Sequence, residues 1–295
     1  MPRLAPPKET LYPTSASKRE TALGVLSCNP SPDGQALIFE LELISKPDNR
    51  LTPEMIDGCI MPALDLVEST WRADLNGELQ GGPATGAAAL ITSGSRSINR
   101  FYSNGLDLDN GPRNIPHWFR DCFHKMLGRL LTFPIATIAA LNGHAFAGGL
   151  TLALAHDYRI LKNASGKGGQ AMLSLNEVHF GAPIPPGMCH LTRCKTRPDV
   201  FHKIAVEGRR FMGPAAIEAN LVDELASSGE AVVVQARAMA SKVSTLSRKA
   251  TVGLIKEEAY KHTLKELALD VTFFWAQKHD AVAEERLNRR QNAKL

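Results

Sequence analysis

Hydrophobic positions fall into two rhythms along this chain. Residues 21–27 and 36–45 alternate apolar and polar side chains, which predicts two strands. Pro30-Ser31-Pro32-Asp33-Gly34 between them predicts a hairpin connection. Asp48 to Glu54 is a turn that opens a helix, with Thr52 as its cap and Pro53 at the first helical position. Helical spacing then runs to about Thr70, and residues 73–86 are polar and Gly-rich, as in a loop. Apolar runs at 87–92 and 135–141 predict short buried strands, and Trp118 to Leu131 has the period of an amphipathic helix. Residues 153–161 hold the end of one helix and the start of another strand. Further helices are predicted over 200–206, 213–219, 230–245, 248–267 and 268–290, and residues 163–170 (NASGKGGQ) read as a flexible insertion. Strands alternating with helices give an α/β class with right-handed crossovers.

Composition adds bounds. A chain of 295 residues with 44% hydrophobic content buries a large core as one domain plus an appendage. Residues 1–18 are Pro- and Ser-rich and read as a disordered or loosely attached extension. The formal charge of +4 is mild, and no dense Lys/Arg stripe with interleaved aromatics appears, so no nucleic-acid partner is expected. The five cysteines (Cys28, Cys59, Cys122, Cys189, Cys194) are odd in number and scattered, which fits free thiols in a reducing compartment. No His/Cys/Asp/Glu set has metal-ligand spacing, so no metal is expected. No apolar run reaches the length of a membrane span, and the N-terminus lacks a signal-peptide core. The C-terminal Ala293-Lys294-Leu295 is a chemical variant of the Ser-Lys-Leu peroxisomal address. The charged stretch before it suits exposure, so a peroxisomal import receptor is an expected partner and the peroxisome the expected location.

The chemistry concentrates in Phe133 to Ala155. A β-branched run breaks at Asn142-Gly143, passes through Ala147-Gly148-Gly149 and opens into an apolar helix. A strand, a Gly-rich turn and a helix start leave backbone N–H groups unpaired, and glycines let a ligand approach them closely. A Walker loop needs a Lys after the glycines, but Leu150 and Thr151 stand there, and no G-x-G-x-x-G is present. An oxyanion that arises during a reaction is the better candidate; an ordinary tight turn is the competing reading. There is no G-x-S-x-G elbow, which argues against an α/β-hydrolase.

NGHAFAGG, the apolar helix after it and His156-Asp157-Tyr158-Arg159-Ile160 resemble the central signature of the crotonase superfamily, the enoyl-CoA hydratase/isomerase family. Upstream, Arg100 to Leu108 (RFYSNGLDL) resembles the block that forms the other half of that family's oxyanion hole. Downstream, Leu175 to Pro183 (LNEVHFGAP) resembles its glutamate-bearing segment. Among subgroups, SNGLDL and NEVHFG look most like the peroxisomal Δ3,Δ2-enoyl-CoA isomerases of plants and fungi. The resemblance implies a crotonase-type ββα spiral core over 19–228 and a helical C-terminal region over 229–290; the terminal tripeptide makes 291–295 a targeting tail. The resemblance also implies an acyl-CoA thioester substrate and a homo-oligomer, trimer or hexamer. Coenzyme A enters only as part of the substrate, with no other cofactor.

Matching the blocks residue by residue, the resemblance assigns the oxyanion N–H groups to Leu106 and Gly148 and the catalytic base to Glu177. Apolar neighbours of Glu177 are expected to raise its pKa. Ser103, Asn104, Gly105, Gly149 and Lys256 are candidate substrate contacts, Lys256 for a CoA phosphate; a solvated helix lysine is its default reading. Hydratases of the family carry a second glutamate where this chain has Thr151, whose hydroxyl is no base near neutral pH. That favours isomerisation of 3-enoyl-CoA to trans-2-enoyl-CoA through one glutamate. A hydratase using a substitute acid (Asp107, Asp109 or Glu207) and a non-catalytic acyl-CoA-binding member of the fold stay open as alternatives. His144 reads as a structural histidine ahead of a ligand contact. His179 shares a face with Glu177 only on an extended segment. Phe273-Phe274-Trp275 reads as a packing cluster rather than a cofactor site.

Overall fold

A computed structural model describes residues 6–108, 117–166, 169–271 and 276–292. Asp109, the Phe273-Phe274-Trp275 cluster and the Ala293-Lys294-Leu295 tail lie outside the described residues, as do parts of 1–18 and of 163–170.

Among the described residues, ten strands follow in chain order: β1 (Thr10–Tyr12), β2 (Gly24–Pro30), β3 (Leu37–Leu43), β4 (Ala88–Ser93), β5 (Phe101–Ser103), β6 (Ala136–Leu141), β7 (His144–Phe146), β8 (Tyr158–Lys162), β9 (Leu173–Ser174) and β10 (Glu224–Ala226). The helices are α1 (Pro53–Met55), α2 (Met61–Leu75), α3 (Lys125–Leu131), α4 (Gly148–Leu154), α5 (Glu177–Phe180), α6 (Pro186–Lys195), α7 (Pro198–Phe201) and α8 (Gly213–Glu218). The C-terminal set is α9 (Gly229–Val243), α10 (Val252–Ala259), α11 (Lys261–Leu267) and α12 (Ala276–Asn292). π-helical segments join α1 to α2, precede α3 and follow α7.

Two sheets divide these strands. The larger has the order β1-β2-β3-β4-β6-β8-β10, antiparallel through β3 and parallel from there on. The smaller has the order β5-β7-β9, all parallel. The chain steps from β4 to β5, from β6 to β7 and from β8 to β9, and each time a helix returns it to the large sheet. This is the ββα spiral of the crotonase fold, with helices α9 to α12 after it.

Both faces of the large sheet are covered at its centre, so the inner parallel strands β4 and β6 are buried throughout and read as mostly apolar runs. Leu90, Ala139, Leu141 and Leu161 face a core shared with the α1–α2 and α3 layer. Ala89, Ile91, Ile138 and Ile160 face α9, which lays Val232, Ala236, Ala240 and Val243 along one stripe. Thr52 caps α1 as the sequence predicts, its hydroxyl accepting from the Met55 N–H at 3.1 Å. Among the described residues, no helix is long and apolar enough to cross a membrane.

Three expectations need correction. The 1–18 extension is not wholly loose: β1 pairs antiparallel with β2 and Tyr12 is 2% exposed. Two apolar residues, Leu11 and Tyr12, suffice for an edge strand, and the prolines around them hide it. The helix predicted over 248–267 is broken, because Ala250 adopts a left-handed conformation (φ 53°) and α10 gives way to α11 at Tyr260. Nor is 268–290 one helix, since residues 268–271 are non-helical. There the Asp270 carboxylate pairs with His117 and Arg120, each at 2.8 Å.

Candidate active site

The small sheet collects the site. Its three strands are parallel, so the segments leaving their C-terminal ends emerge on one edge, where ligands of parallel sheets commonly bind. β5 ends at Ser103 and leads to Leu106; β7 ends at Phe146 and leads to Gly148; β9 ends at Ser174 and leads to Glu177. The three principal site residues of the sequence analysis thus share one edge. The Ala147 N–H donates to the Ser174 carbonyl at 2.9 Å, tying the Gly-rich turn to the glutamate-bearing segment.

Gly148 is the first residue of α4, so its N–H has no intrahelical acceptor. Ala147 before it holds φ 51°, ψ −127°, a conformation natural to glycine and costing about 1–3 kcal/mol for other residues. The amide of Leu106 finds no acceptor among the described residues either. Gly105 brings these two amides together. Its φ is +84°, and a Cβ built there would stand 3.1 Å from the Gly148 nitrogen and 2.9 Å from the Phe146 carbonyl. Two unsatisfied N–H groups on abutting peptides are suited to hold an oxyanion.

Glu177 opens α5 and is 5% exposed, with Oε2 buried and unpartnered. Burial pushes its pKa up to about 7, opposed by a hydrogen bond from its own backbone N–H. A carboxyl group with that pKa takes and returns protons near neutrality.

Other predicted contacts fall elsewhere. Ser103 is fully buried and its hydroxyl donates to the Asn49 carbonyl at 2.7 Å, so it positions the chain and does not reach a ligand. Asn104 gives its side-chain amide to Asp48 at 2.7 Å. Gly149 is a packing glycine, because a Cβ there would lie 2.2 Å from the Ser103 carbonyl oxygen.

Lys256 corrects the sequence analysis most clearly. Its ammonium is buried and donates to the carbonyls of Phe133 (2.9 Å) and Ile135 (3.1 Å) and to Asp157 (2.6 Å). All three protons are used inside the fold, which leaves none for a CoA phosphate. Lys256→Met leaves the Asp157 carboxylate without its cation and is expected to cost about 3 kcal/mol. Urea denaturation measures that loss; turnover per folded molecule should not change.

Thr151 is fully buried, and its hydroxyl donates to the Ala147 carbonyl at 3.4 Å. Of the acids that could stand in for a second carboxylate, Asp109 lies outside the described residues. Glu207 is exposed and lies 3.6 Å from His202. His144 accepts from the Met172 N–H at 3.0 Å and stacks on Phe146. Burial, with Lys162, Arg100 and Arg210 nearby, holds its pKa below the ordinary value. His179 lies on a helix and meets the Gly208 carbonyl at 3.1 Å. The turn from Asp48 stands where the sequence places it, but the contacts of Asp48 and Asn49 with the Ser103-Asn104-Gly105 segment and the strain at Ala147 were missed. Asn in a turn is a sequence signal for a left-handed residue; nothing marks Ala147.

A two-sheet ββα spiral with paired free amides and a buried carboxyl group on one sheet edge defines a crotonase-type protein. The chain belongs to the enoyl-CoA hydratase/isomerase family, which it matches over residues 84–286. It is similar to enoyl-CoA delta isomerase 3 of Arabidopsis thaliana, 30% identical over 206 residues that cover 68% of this chain and 77% of that one. The peroxisomal enoyl-CoA delta isomerase 2 of the same plant is 29% identical over 248 residues, 80% of this chain and 94% of that one. In fold it resembles the crystal structure of the enoyl-CoA hydratase EchA3 from Mycobacterium ulcerans. That match has a TM-score of 0.63 at 23% identity and covers 82% of this chain and 94% of that one.

Proposed function

We propose that the protein is a Δ3,Δ2-enoyl-CoA isomerase. The observation that carries the reading is Glu177: buried, with one oxygen unpartnered and a pKa near 7. In 3-enoyl-CoA the C2 protons are acidified by the thioester. Glu177 removes one, and the electron pair moves through C2–C1 onto the thioester oxygen, giving a dienolate. The Leu106 and Gly148 N–H groups hold that oxygen, at a few kcal/mol per donor. The protonated Glu177 then returns its proton at C4, the oxygen's charge flows back, and the double bond rests between C2 and C3. One carboxyl group completes the cycle, and no water is consumed. A threonine at position 151 agrees with this, because hydration calls for a second carboxylate to hold the water.

The reading requires no cofactor beyond the CoA of the substrate. It includes action in the peroxisome, which similarity to two peroxisomal isomerases of Arabidopsis thaliana supports, and assembly as a trimer or hexamer. Imaging of the full chain in cells and light scattering of the purified protein test those two parts.

Assaying 3-enoyl-CoA and trans-2-enoyl-CoA side by side tests the activity. The expected result is a rise in conjugated-enone absorbance from 3-enoyl-CoA and no loss of it from trans-2-enoyl-CoA. Loss of enone absorbance from the second thioester would establish a hydratase, and silence with both a binding protein.

A further inference from the structure

We propose that the turn Asp48-Asn49-Arg50-Leu51 is a template that aims the Leu106 N–H, with Asn49 its central positioning residue. The inference rests on the oxyanion hole assigned above.

The turn engages every residue from Phe101 to Leu106. Asn49 Nδ2 faces the carbonyls of Phe101 (3.4 Å) and Tyr102 (3.2 Å), and that of Leu43 at the end of β3 (3.0 Å). The Asn49 carbonyl accepts from the Ser103 hydroxyl at 2.7 Å, and that hydroxyl accepts from the Gly105 N–H at 3.2 Å. The Asp48 carbonyl accepts from the Asn104 N–H at 3.0 Å, and Asp48 Oδ2 from the Asn104 side chain at 2.7 Å. The Leu51 N–H donates to the Gly105 carbonyl at 2.8 Å, and Arg50 Nη1 to the Leu106 carbonyl at 3.4 Å.

The bond to Gly105 sets the direction. In a trans peptide the C=O and the N–H point opposite ways. Fixing the Gly105 carbonyl on Leu51 therefore turns the Leu106 N–H away from the turn. The Asn104 and Gly105 N–H groups beside it are already used, and the Leu106 amide has no acceptor among the described residues, which leaves it for an incoming oxygen.

A second observation separates this turn from an ordinary scaffold. Asp48 Oδ1 and Asn49 Oδ1 are both buried without a hydrogen-bond partner, and Asn49 is left-handed at φ 52°. Unsatisfied buried acceptors and a left-handed residue cost stability. Here the cost falls on the turn that fixes the amide's direction.

The test uses a conjugated 2,4-dienoyl-CoA as a chromophoric probe. A thioester carbonyl polarised by two N–H donors absorbs further to the red. Asn49→Gly keeps the left-handed backbone and removes the amide; Ser103→Ala removes the relay hydroxyl and serves alone if the first variant does not fold. The unaltered protein and Glu177→Gln should both shift the bound probe to the red, since neither lacks the hole. Asn49→Gly and Ser103→Ala should lose most of that shift. Their kcat for 3-enoyl-CoA should fall about 10- to 100-fold, with KM changed less than about threefold. A full red shift in both variants overturns the template, whatever their melting temperatures. Absence of the shift in the unaltered protein overturns the oxyanion hole and the template with it. Loss of the shift in Glu177→Gln together with loss of turnover would place the polarising group at the carboxylate, and overturns the template also.

Discussion

Glu177→Gln is expected to abolish most isomerase turnover, by about 10²–10⁴-fold, while binding of the thioester changes little. The amide keeps the volume of the carboxyl group and removes its ability to accept the C2 proton. The buried setting adds a second, opposite consequence for stability. The folded-state pKa of Glu177 is near 7, above the ordinary carboxylate value. Its contribution to stability is therefore fully present below the unfolded pKa and is lost as pH rises through about 7. At pH 8 the folded protein must hold a desolvated carboxylate, at a cost of roughly 3 kcal/mol. Glu177→Gln should accordingly melt higher than the unaltered protein at pH 8 and about level with it at pH 5. In the unaltered enzyme kcat/KM should rise with pH and level off above about 7, as the basic form becomes populated. Turnover within twofold of normal in the variant would rule out a single-base mechanism.

The second large effect separates two neighbouring glycines. Gly149→Ala places a methyl 2.2 Å from the carbonyl oxygen of Ser103 and 2.8 Å from its carbon. Both are backbone atoms in the strand-end that leads to Leu106, so the helix must move off β5 and take the Gly148 amide with it. Overpacking of this kind costs about 1–3 kcal/mol. A displacement on the order of 1 Å at the hole removes about 10²-fold in rate. Gly148→Ala differs, because its methyl would meet Leu106 Cγ and Phe123 Cζ, each at 3.2 Å. Side chains can give by a few tenths of an ångström. A loss of no more than about tenfold is expected there. Equal losses in the two variants, measured alongside circular dichroism, would show that the close approach to Ser103 is not what Gly149 protects.

Long, periodic elements were legible in the sequence. The β2–β3 hairpin, the Thr52-Pro53 helix start, β4, β6 and the α3 segment stand where the pattern places them, within a few residues. The small sheet was not legible. Its strands are two or three residues long, too short for an alternation to show, and yet they carry the site. Leu106, Gly148 and Glu177 were reached through the resemblance of their blocks, because a backbone amide leaves no mark in side-chain pattern. The reading of α10 failed for a physical reason. Leu254 and Ile255 are 64% and 66% exposed, and Lys256 beside them is buried. A methyl on Gly253 would stand 3.2 Å from the Pro134 backbone, so the bare glycine lets the helix come close. The lysine can then reach inward, reversing the usual rule that a helix hides its aliphatics.

Lys256 also imposes an order on synthesis. Its ammonium is the cation for Asp157 and for two carbonyls at the entry to β6, an interior strand of the large sheet. The lysine lies 99 residues beyond Asp157. At roughly 5–20 residues per second it leaves the ribosome about 5–20 s after its partner. During that interval the carboxylate must stay hydrated, and the entry to β6 is held through Thr137, whose N–H and hydroxyl reach Asp157 at 2.8 and 3.1 Å. The spiral is therefore a structure that a nascent chain can sketch but not lock. A ribosome stalled before codon 256 should display a protease-sensitive β6 entry, and one stalled well after it a protected one.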